Sequence, residues 1–484
     1  MRAFPLSVVP ILALAAASIS AAKPSPAPAT YDVRVVSLAP PKLAVTAVLP
    51  AIEPALETAP SRPGDVPEIS DGGWGALMTE MTCTAADGKP VAVTRAGAKG
   101  WSLERAARAP LTVSYVVDYA LLAERGWPAP REAAFADTRQ AVVVGRSLFV
   151  TTPGQGESVV RFVVPEGWRA LTPWEGAGGS WRVPTTPDLV ENLIAFTRGG
   201  TEELAAGGFR FQVVPFRRWE PARAEVRRVV EGPVAYLAKA MGAADRASYM
   251  LVLLPLSETG GESFRSSFAL SLETTPSDKN VSEWGGLVVH ELFHYWNGWR
   301  LQGADYASTN WFREGFTEYL ANVAMVKGGV LDERWLREKL ARHVDNYSRL
   351  ATPLDAPGDR KGPPLYGGGA LVAFCWDAKI REATHGERGL PDVMRALWKR
   401  TRRGEKPYGW EDIEASLVSV ARADWPDFHR RYVQGTERLP LHEAFASMGL
   451  SLKMGADGVP RVDVDPAASK DARARWSGLT APSR

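Results

Sequence analysis

Cysteine is almost missing from this chain: Cys83 and Cys375 are the two thiols among 484 residues. So few, so far apart, exclude a disulfide-built scaffold and lack the spacing of a cysteine zinc finger. They read as two free thiols, with a single bridge as the alternative. Histidine is scarce too, at six, so any clustering of imidazoles is informative. Excess charge of one sign is absent: 57 basic and 55 acidic residues leave +2. That balance gives no global pull toward nucleic acid or an anionic membrane. The basic run Lys399-Arg400-Thr401-Arg402-Arg403 reads as a solvated helix end or loop. No phosphate-binding glycine loop and no tandem repeat occurs. Past the N-terminus no apolar run is long enough to span a bilayer, so stable membrane insertion is not expected.

The N-terminus itself reads as an address. Arg2 precedes an apolar stretch at residues 6–17, interrupted by Pro10, and Ser20-Ala21-Ala22 offers small residues for cleavage. Residues 1–22 therefore read as a removed signal peptide, and the mature chain as exported, periplasmic or secreted. Residues 23–30, rich in Pro and Ala, read as a linker.

What is present concentrates at His290-Glu291-Leu292-Phe293-His294. Residues i and i+4 share one face of a helix, so the two imidazoles can converge on one metal ion. Glu291 sits beside that point, where it can take a proton from water. The competing reading is two core histidines on a buried helix. Leu287, Val288, Leu292, Phe293 and Trp296 do make this helix apolar on nearly every side. Buried imidazoles need partners, however, and a metal supplies them. Ser282 is the expected N-cap, with Glu283 in the first turn.

Nineteen residues separate His294 from Glu314. That is room for the helix to end, a loop to return and a second helix to start. Ser308 or Thr309 is the expected cap of this second helix, and Gly328-Gly329 its end. A catalytic zinc wants three protein ligands and one open position. Glu314 is the candidate third ligand. Glu318 lies one turn on and faces the same way. Its expected role is to accept the free imidazole N–H of one histidine and fix the tautomer. The expected cofactor is one Zn2+ per chain, since nitrogen-rich tetrahedral ligation favours zinc.

Along the chain the pattern changes twice. Residues 31–36, 111–116 and 159–164 alternate apolar and polar, which predicts strands in a β-rich front spanning 23–184. The glycine-rich stretch 174–181 reads as a loop. From 185 to 329 strands (209–214, 249–255, 266–272) mix with a helix at 222–241 and the two metal helices. From 330 to 447 helices dominate. Residues 448–484 form a short tail with a polar, frayed end. The fold class is α+β with several domains: an antiparallel β domain, a mixed α/β domain and an α-helical domain.

The quoted motifs are similar to those of the glycyl-aminopeptidase family, within the zinc peptidase clan (gluzincins) that uses two histidines and one glutamate. The resemblance runs from His290 through Trp296-Asn297 and Arg300 to Glu314-Gly315-Phe316-Thr317 with Tyr319. It continues at residues 366–372 with Asp377 and Arg381, and at Tyr432-Val433-Gln434-Gly435-Thr436 before Leu439-Pro440-Leu441. It implies a thermolysin-like catalytic domain and zinc-assisted hydrolysis of a peptide or protein substrate. It places Arg300 near the site. It aligns Tyr366 with the tyrosine that steadies the oxyanion. Gly367-Gly368-Gly369 then predicts an unusually flexible segment. A C-terminal PDZ domain, common in the family, is not expected, because fewer than fifty residues follow Pro440.

One departure bears on substrate. The family carries a Gly-Gly-Leu-Glu-His type segment whose Glu holds a free amino terminus. Here the aligned stretch is Gly260-Gly261-Glu262-Ser263-Phe264-Arg265. Gly260, Gly261, Glu262 and Arg265 are the candidate substrate-binding residues. Ser263 stands where the Glu belongs. Glu262 comes one place early, so its side chain is expected on the opposite strand face unless the register slips. Aminopeptidase-like hydrolysis is the leading reading. An endopeptidase or other amide hydrolase is the alternative, and a catalytically idle, zinc-stabilised binding protein is the alternative of another class.

Overall fold

The computed structural model describes residues 27–483 apart from 51–54, 60–72, 98–99, 105–109, 128–129, 243–246 and 357–361. The expected signal peptide and the first half of the linker lie outside the described residues. Among the described residues no helix is long and apolar enough to cross a membrane.

Alternation builds the front sheet. Ala29–Leu38 buries Tyr31, Val33 and Val35 and exposes Asp32, Arg34 and Val36. Seven strands follow the order Glu175–Ala177, Ser180–Val183, Ser158–Val163, Ala29–Leu38, Pro41–Leu49, Leu111–Asp118, Met78–Thr84. One pair is parallel, Ala29–Leu38 with Ser158–Val163; the rest are antiparallel. A long connection separates the parallel partners, so no hairpin dictates their direction. The stretch 174–181 is a hairpin and not the expected loop: Glu175–Ala177 pairs with Ser180–Val183. Gly178 and Gly179 have φ of 63° and 79°, as a two-residue hairpin turn demands.

A second sheet runs Arg169–Leu171, Leu193–Thr197, Gln140–Val144, Ala134–Ala136. Its two central strands are buried along their whole length. One face joins the front core through Ala141, Val143, Ile194 and Phe196. The other face presses Val142, Val144, Leu193 and Ala195 onto Val214, Met250, Val252 and Ala269 of a third sheet. The second sheet therefore packs on the front core with one face and on the third sheet with the other.

That third sheet has the order Glu202–Ala206, Phe209–Pro215, Ser248–Leu253, Ser267–Ser271, Gly260–Ser263. The three central strands are parallel, and the crossover between the first two of them is the helix Arg223–Met241. Gly260–Ser263 is an antiparallel edge strand. It lies against the histidine helix, Val281–Phe293. The glutamate helix, Tyr306–Lys327, is buried over most of its length. It packs on the histidine helix, on a third helix, Glu333–Ser348, and on a glycine-rich helix, Pro363–Ala383.

The three glycines of that last helix are helical and buried, which corrects the expectation of a flexible segment. Each marks a close approach. Gly367 faces the His343 carbonyl, Gly368 faces Leu354 and Tyr347, and Gly369 meets the backbone of Trp311 and Gly315. A Cβ at 369 would fall 2.8 Å from the Gly315 Cα and still nearer the Trp311 carbonyl. Gly369→Ala is therefore expected to destabilise the fold by about 1–3 kcal/mol, as overpacking does. An unchanged melting temperature would show that the two helices separate freely.

The C-terminal tail is ordered, another correction. Leu441–Ser447 precedes a hairpin of Leu450–Met454 and Pro460–Val464, then the helix Lys470–Thr480. Trp476 is buried and donates its indole N–H to Glu333 at 2.9 Å. Lys327 Nζ donates to the carbonyls of Gly478 (3.0 Å) and Ala481 (2.7 Å). The apolar side of the last helix ties the tail down where its polar composition suggested fraying. Cys83 and Cys375 are both buried free thiols.

Candidate metal centre

The histidine helix begins two residues earlier than its sequence suggests. A 3-10 turn, Asp278–Asn280, leads into it, Asn280 is the N-cap, and Ser282 lies inside. His294 is the C-terminal cap but keeps helical backbone, its N–H on the His290 carbonyl at 3.3 Å. The i, i+4 geometry thus survives to the last residue. The two imidazole centroids lie 4.9 Å apart. The glutamate helix is capped by Asp305, which accepts from Ala307 and Ser308 N–H at 3.3 and 3.1 Å. Neither Ser308 nor Thr309 is the cap. The cap sits earlier because Asp305 offers two acceptor oxygens to the free first-turn amides.

These two caps bring three donors together. Glu314 Oε2 lies 3.3 Å from His290 Nε2 and 3.4 Å from His294 Nε2. Donor atoms of His290, His294 and Glu314 all fall within 4.8 Å of one another. Each histidine is held from behind. His290 Nδ1 donates to Glu318 Oε2 at 3.0 Å, and His294 Nδ1 donates to the Asn297 carbonyl at 2.9 Å. Fixing the proton on Nδ1 leaves each Nε2 lone pair aimed inward, the tautomer a metal ligand needs. Two such nitrogens and a carboxylate match a catalytic zinc site. The residues present fit the ion.

The electrostatics agree. Burial alone would raise the Glu314 carboxyl, but His294, Arg313 and hydrogen bonds from both histidines hold it well below the usual carboxylate range. Burial opposes a charged His290, yet Glu314 and Glu318 carry its pKa up to about 10. A dication placed there would displace that proton and take over its pairing. Glu291 differs from both. Burial pushes its carboxyl up to about 7, with His290 pulling down and Glu314 and Glu262 pushing up. Gly261 lies directly against this carboxylate, where a Cβ could not fit.

Tyr366 stacks on His290 with centroids 5.8 Å apart and planes at 23°. Burial, then Glu314 and Glu291, hold its phenol far above the ordinary range, and its hydroxyl hydrogen-bonds to Glu314. It keeps its proton and is a donor. A cleft of about 620 Å³ opens over these groups, within the roughly 300–1,000 Å³ of small-ligand sites.

The substrate candidates divide. Gly261, Glu262 and Ser263 all border the cleft. Glu262 pairs with Ala269 and Ser263 with Phe268 in an unbroken register, so their side chains leave opposite faces of the strand, as expected. Arg146 Nη2 meets the Glu262 carboxylate at 3.4 Å, and Ser263 is buried. Gly260 sits against the Arg131 guanidinium. Arg265 stays outside the cleft lining, its Nε on Asp188 at 2.7 Å. Arg300 stacks on the Tyr295 ring at 3.3 Å.

Four residues take up roles that the sequence did not assign. Asn297 is fully buried and donates to the carbonyls of Phe312 (3.3 Å) and Arg313 (3.0 Å), stapling the two ligand helices. Arg313 reaches Glu314 Oε1 at 3.3 Å and the Tyr306 hydroxyl at 3.0 Å. Glu132 enters the cleft from the front part of the chain, its carboxyl raised by burial and by Glu262. Lys339 approaches Glu318 from the third helix. Nothing in the local sequence of Glu132 or Lys339 marks them.

Comparison with known proteins points the same way. Residues 283–354 match the family described as M61 glycyl aminopeptidase. An aminopeptidase N family protein from Idiomarina loihiensis superposes with TM-score 0.72 at 20% identity, covering 88% of this chain and 79% of that one. An M1 zinc metallopeptidase from Deinococcus radiodurans gives TM-score 0.53 at 15% identity, covering 85% and 95%. A point mutant of that type from the same organism, bound to a Tyr-Ser-Ala substrate, gives 0.54 at 16% identity, covering 85% and 95%. At these identities the superpositions establish a shared fold. No curated protein matches the chain in sequence.

Proposed function

We propose that this chain is a zinc metallopeptidase of aminopeptidase type. The observation that carries the reading is the convergence of His290, His294 and Glu314 with Glu291 one residue from a ligand. Those three side chains would hold zinc, which supplies Lewis-acid polarisation of water and of a carbonyl oxygen. The remaining work falls to the protein. Glu291 takes the proton of the attacking water and delivers it to the leaving amine. A carboxyl raised by burial is suited to both halves of that transfer. Tyr366 donates its hydroxyl hydrogen to the oxygen that gains charge in the transition state. The edge strand Gly260–Ser263 offers main-chain groups to an extended peptide, giving grip that does not depend on side chains.

Glu132 and Glu262 favour the aminopeptidase form. Two carboxylates on one wall of the cleft suit a free α-ammonium group. The endopeptidase alternative draws on Ser263, which occupies the family's glutamate position. The idle-binder alternative is disfavoured because base and all three ligands are present together. Export is part of the proposal on the strength of residues 1–22 alone.

A mixed peptide library read by mass spectrometry, with and without a chelator, tests the reading. Products shortened by one N-terminal residue, abolished by chelator, are expected. Internal cuts, or equal cleavage of N-acetylated peptides, would transfer the assignment to the endopeptidase. No chelator-sensitive cleavage of any peptide would end it.

A further inference from the structure

Glu318 has two oxygens and two audiences. Oε2 accepts from His290 Nδ1 at 3.0 Å. Oε1 is met by Lys339 Nζ at 3.1 Å, Asn322 Nδ2 at 3.1 Å and His343 Nε2 at 3.5 Å. Lys339 and His343 both belong to the third helix, which contributes no metal ligand. Glu318 is 8% exposed. A carboxylate so far from water is held in place by the donors around it. Asn322 is neutral. Burial holds the His343 imidazole well below its ordinary range, down to about 4, so at neutral pH it too is uncharged. Among the groups on Oε1 the cation is Lys339. Its ammonium lies 5.9 Å from the Trp335 ring.

We infer that Lys339 is a positioning residue of the metal centre, acting on His290 through Glu318. Its ion pair with Oε1 seats the Glu318 carboxylate. The seated carboxylate accepts from His290 Nδ1 and so holds the ring with Nε2 aimed at the metal position. Without the ammonium, Glu318 is free to turn toward another donor, and His290 loses the acceptor that orients its ring. Docking of the third helix and metal affinity are thereby coupled. The inference rests on the metal reading of the site and not on peptide hydrolysis.

Zinc affinity of the full chain, measured by competition with a chromogenic chelator at fixed pH, tests it. Lys339→Met is expected to weaken zinc binding about tenfold, the lower end of the 10–100-fold typical of groups that support a ligand from behind. Lys339→Arg restores the affinity to within about threefold of wild type. In a Glu318→Gln background, Lys339→Met adds nothing further, because the path runs through Glu318. Circular dichroism of the metal-free variants checks folding. If the Met variant does not fold, Lys339→Gln, which keeps a donor but no charge, takes its place with the same expected loss. Affinity within about twofold of wild type, or losses at 339 and 318 that simply multiply, overturns the inference. A wild type that binds no zinc overturns the metal reading and the inference together, whereas a zinc-binding wild type with indifferent 339 variants overturns the inference alone.

Discussion

Glu291→Gln is expected to keep its zinc and lose peptide turnover by about 10²–10⁴-fold, the span that a positioned acid–base group supplies. The amide has the size and shape of the carboxylate it replaces, so the contact with Gly261 survives. It contributes no atom to the His290, His294 and Glu314 cluster, so the metal count stays at one per chain. What it removes is the capacity to carry a proton from water to the leaving amine. The pH profile carries the same signature. Glu291 works as a base only when ionised, so wild-type kcat/KM falls on the acid side. In the protein alone burial puts that carboxyl at about 7; a neighbouring dication favours the ionised form and moves the limb below that value. The Gln variant lacks a limb of this origin. Turnover of peptide substrates by metal-quantified enzyme decides the matter. Full activity in the variant would mean that another group handles the proton.

The site was readable where its geometry is local. His290 and His294 share a face because any helix puts i and i+4 together, and Glu314 and Glu318 repeat the argument one helix later. The structure brings these four together. Caps were less readable, because Ser282, Asn280, Asp305 and Ser308 all carry capping chemistry and only the path of the incoming chain chooses among them. Glycine was misread in two directions. Gly178-Gly179 serves a turn between paired strands, and Gly367-Gly368-Gly369 serves contact between helices. The same residue type suits both, and the choice belongs to partners such as Gly315 that lie far off in sequence. Glu132 and Lys339 were invisible for the same reason. Each reaches the centre from a different part of the chain, carried by a packing arrangement that periodicity does not encode. Glu262 shows a subtler limit. Strand alternation placed it on the face opposite Ser263, which the register bears out, but said nothing of the ion pair with Arg146 that it makes there.

Glu314→Ala is expected to fail earlier in the sequence of events, by losing the metal itself. Two imidazoles remain, still oriented by Glu318 and Asn297. Two neutral nitrogens are one donor short of the three that a catalytic zinc requires from its protein. The loss is compounded by charge. Arg313 is paired to Glu314 Oε1 at 3.3 Å with its side chain 20% exposed. Removing the carboxylate leaves that guanidinium facing the ligand position uncompensated, where it repels a dication. Affinity should therefore drop by more than the roughly 10–100-fold seen when a supporting group is removed. Activity should fall to that of chelator-treated wild type. Thermal melting separates this from a folding defect. Zinc at a hundred times its dissociation constant stabilises a folded site by about 2.7 kcal/mol, so wild type and Glu291→Gln should melt higher with zinc than without. The Glu314→Ala curve should not move. One carboxylate thus governs whether the ion is held and the other what happens once it is. Stoichiometric, tight zinc in the Ala variant would break that division and assign the third ligand elsewhere.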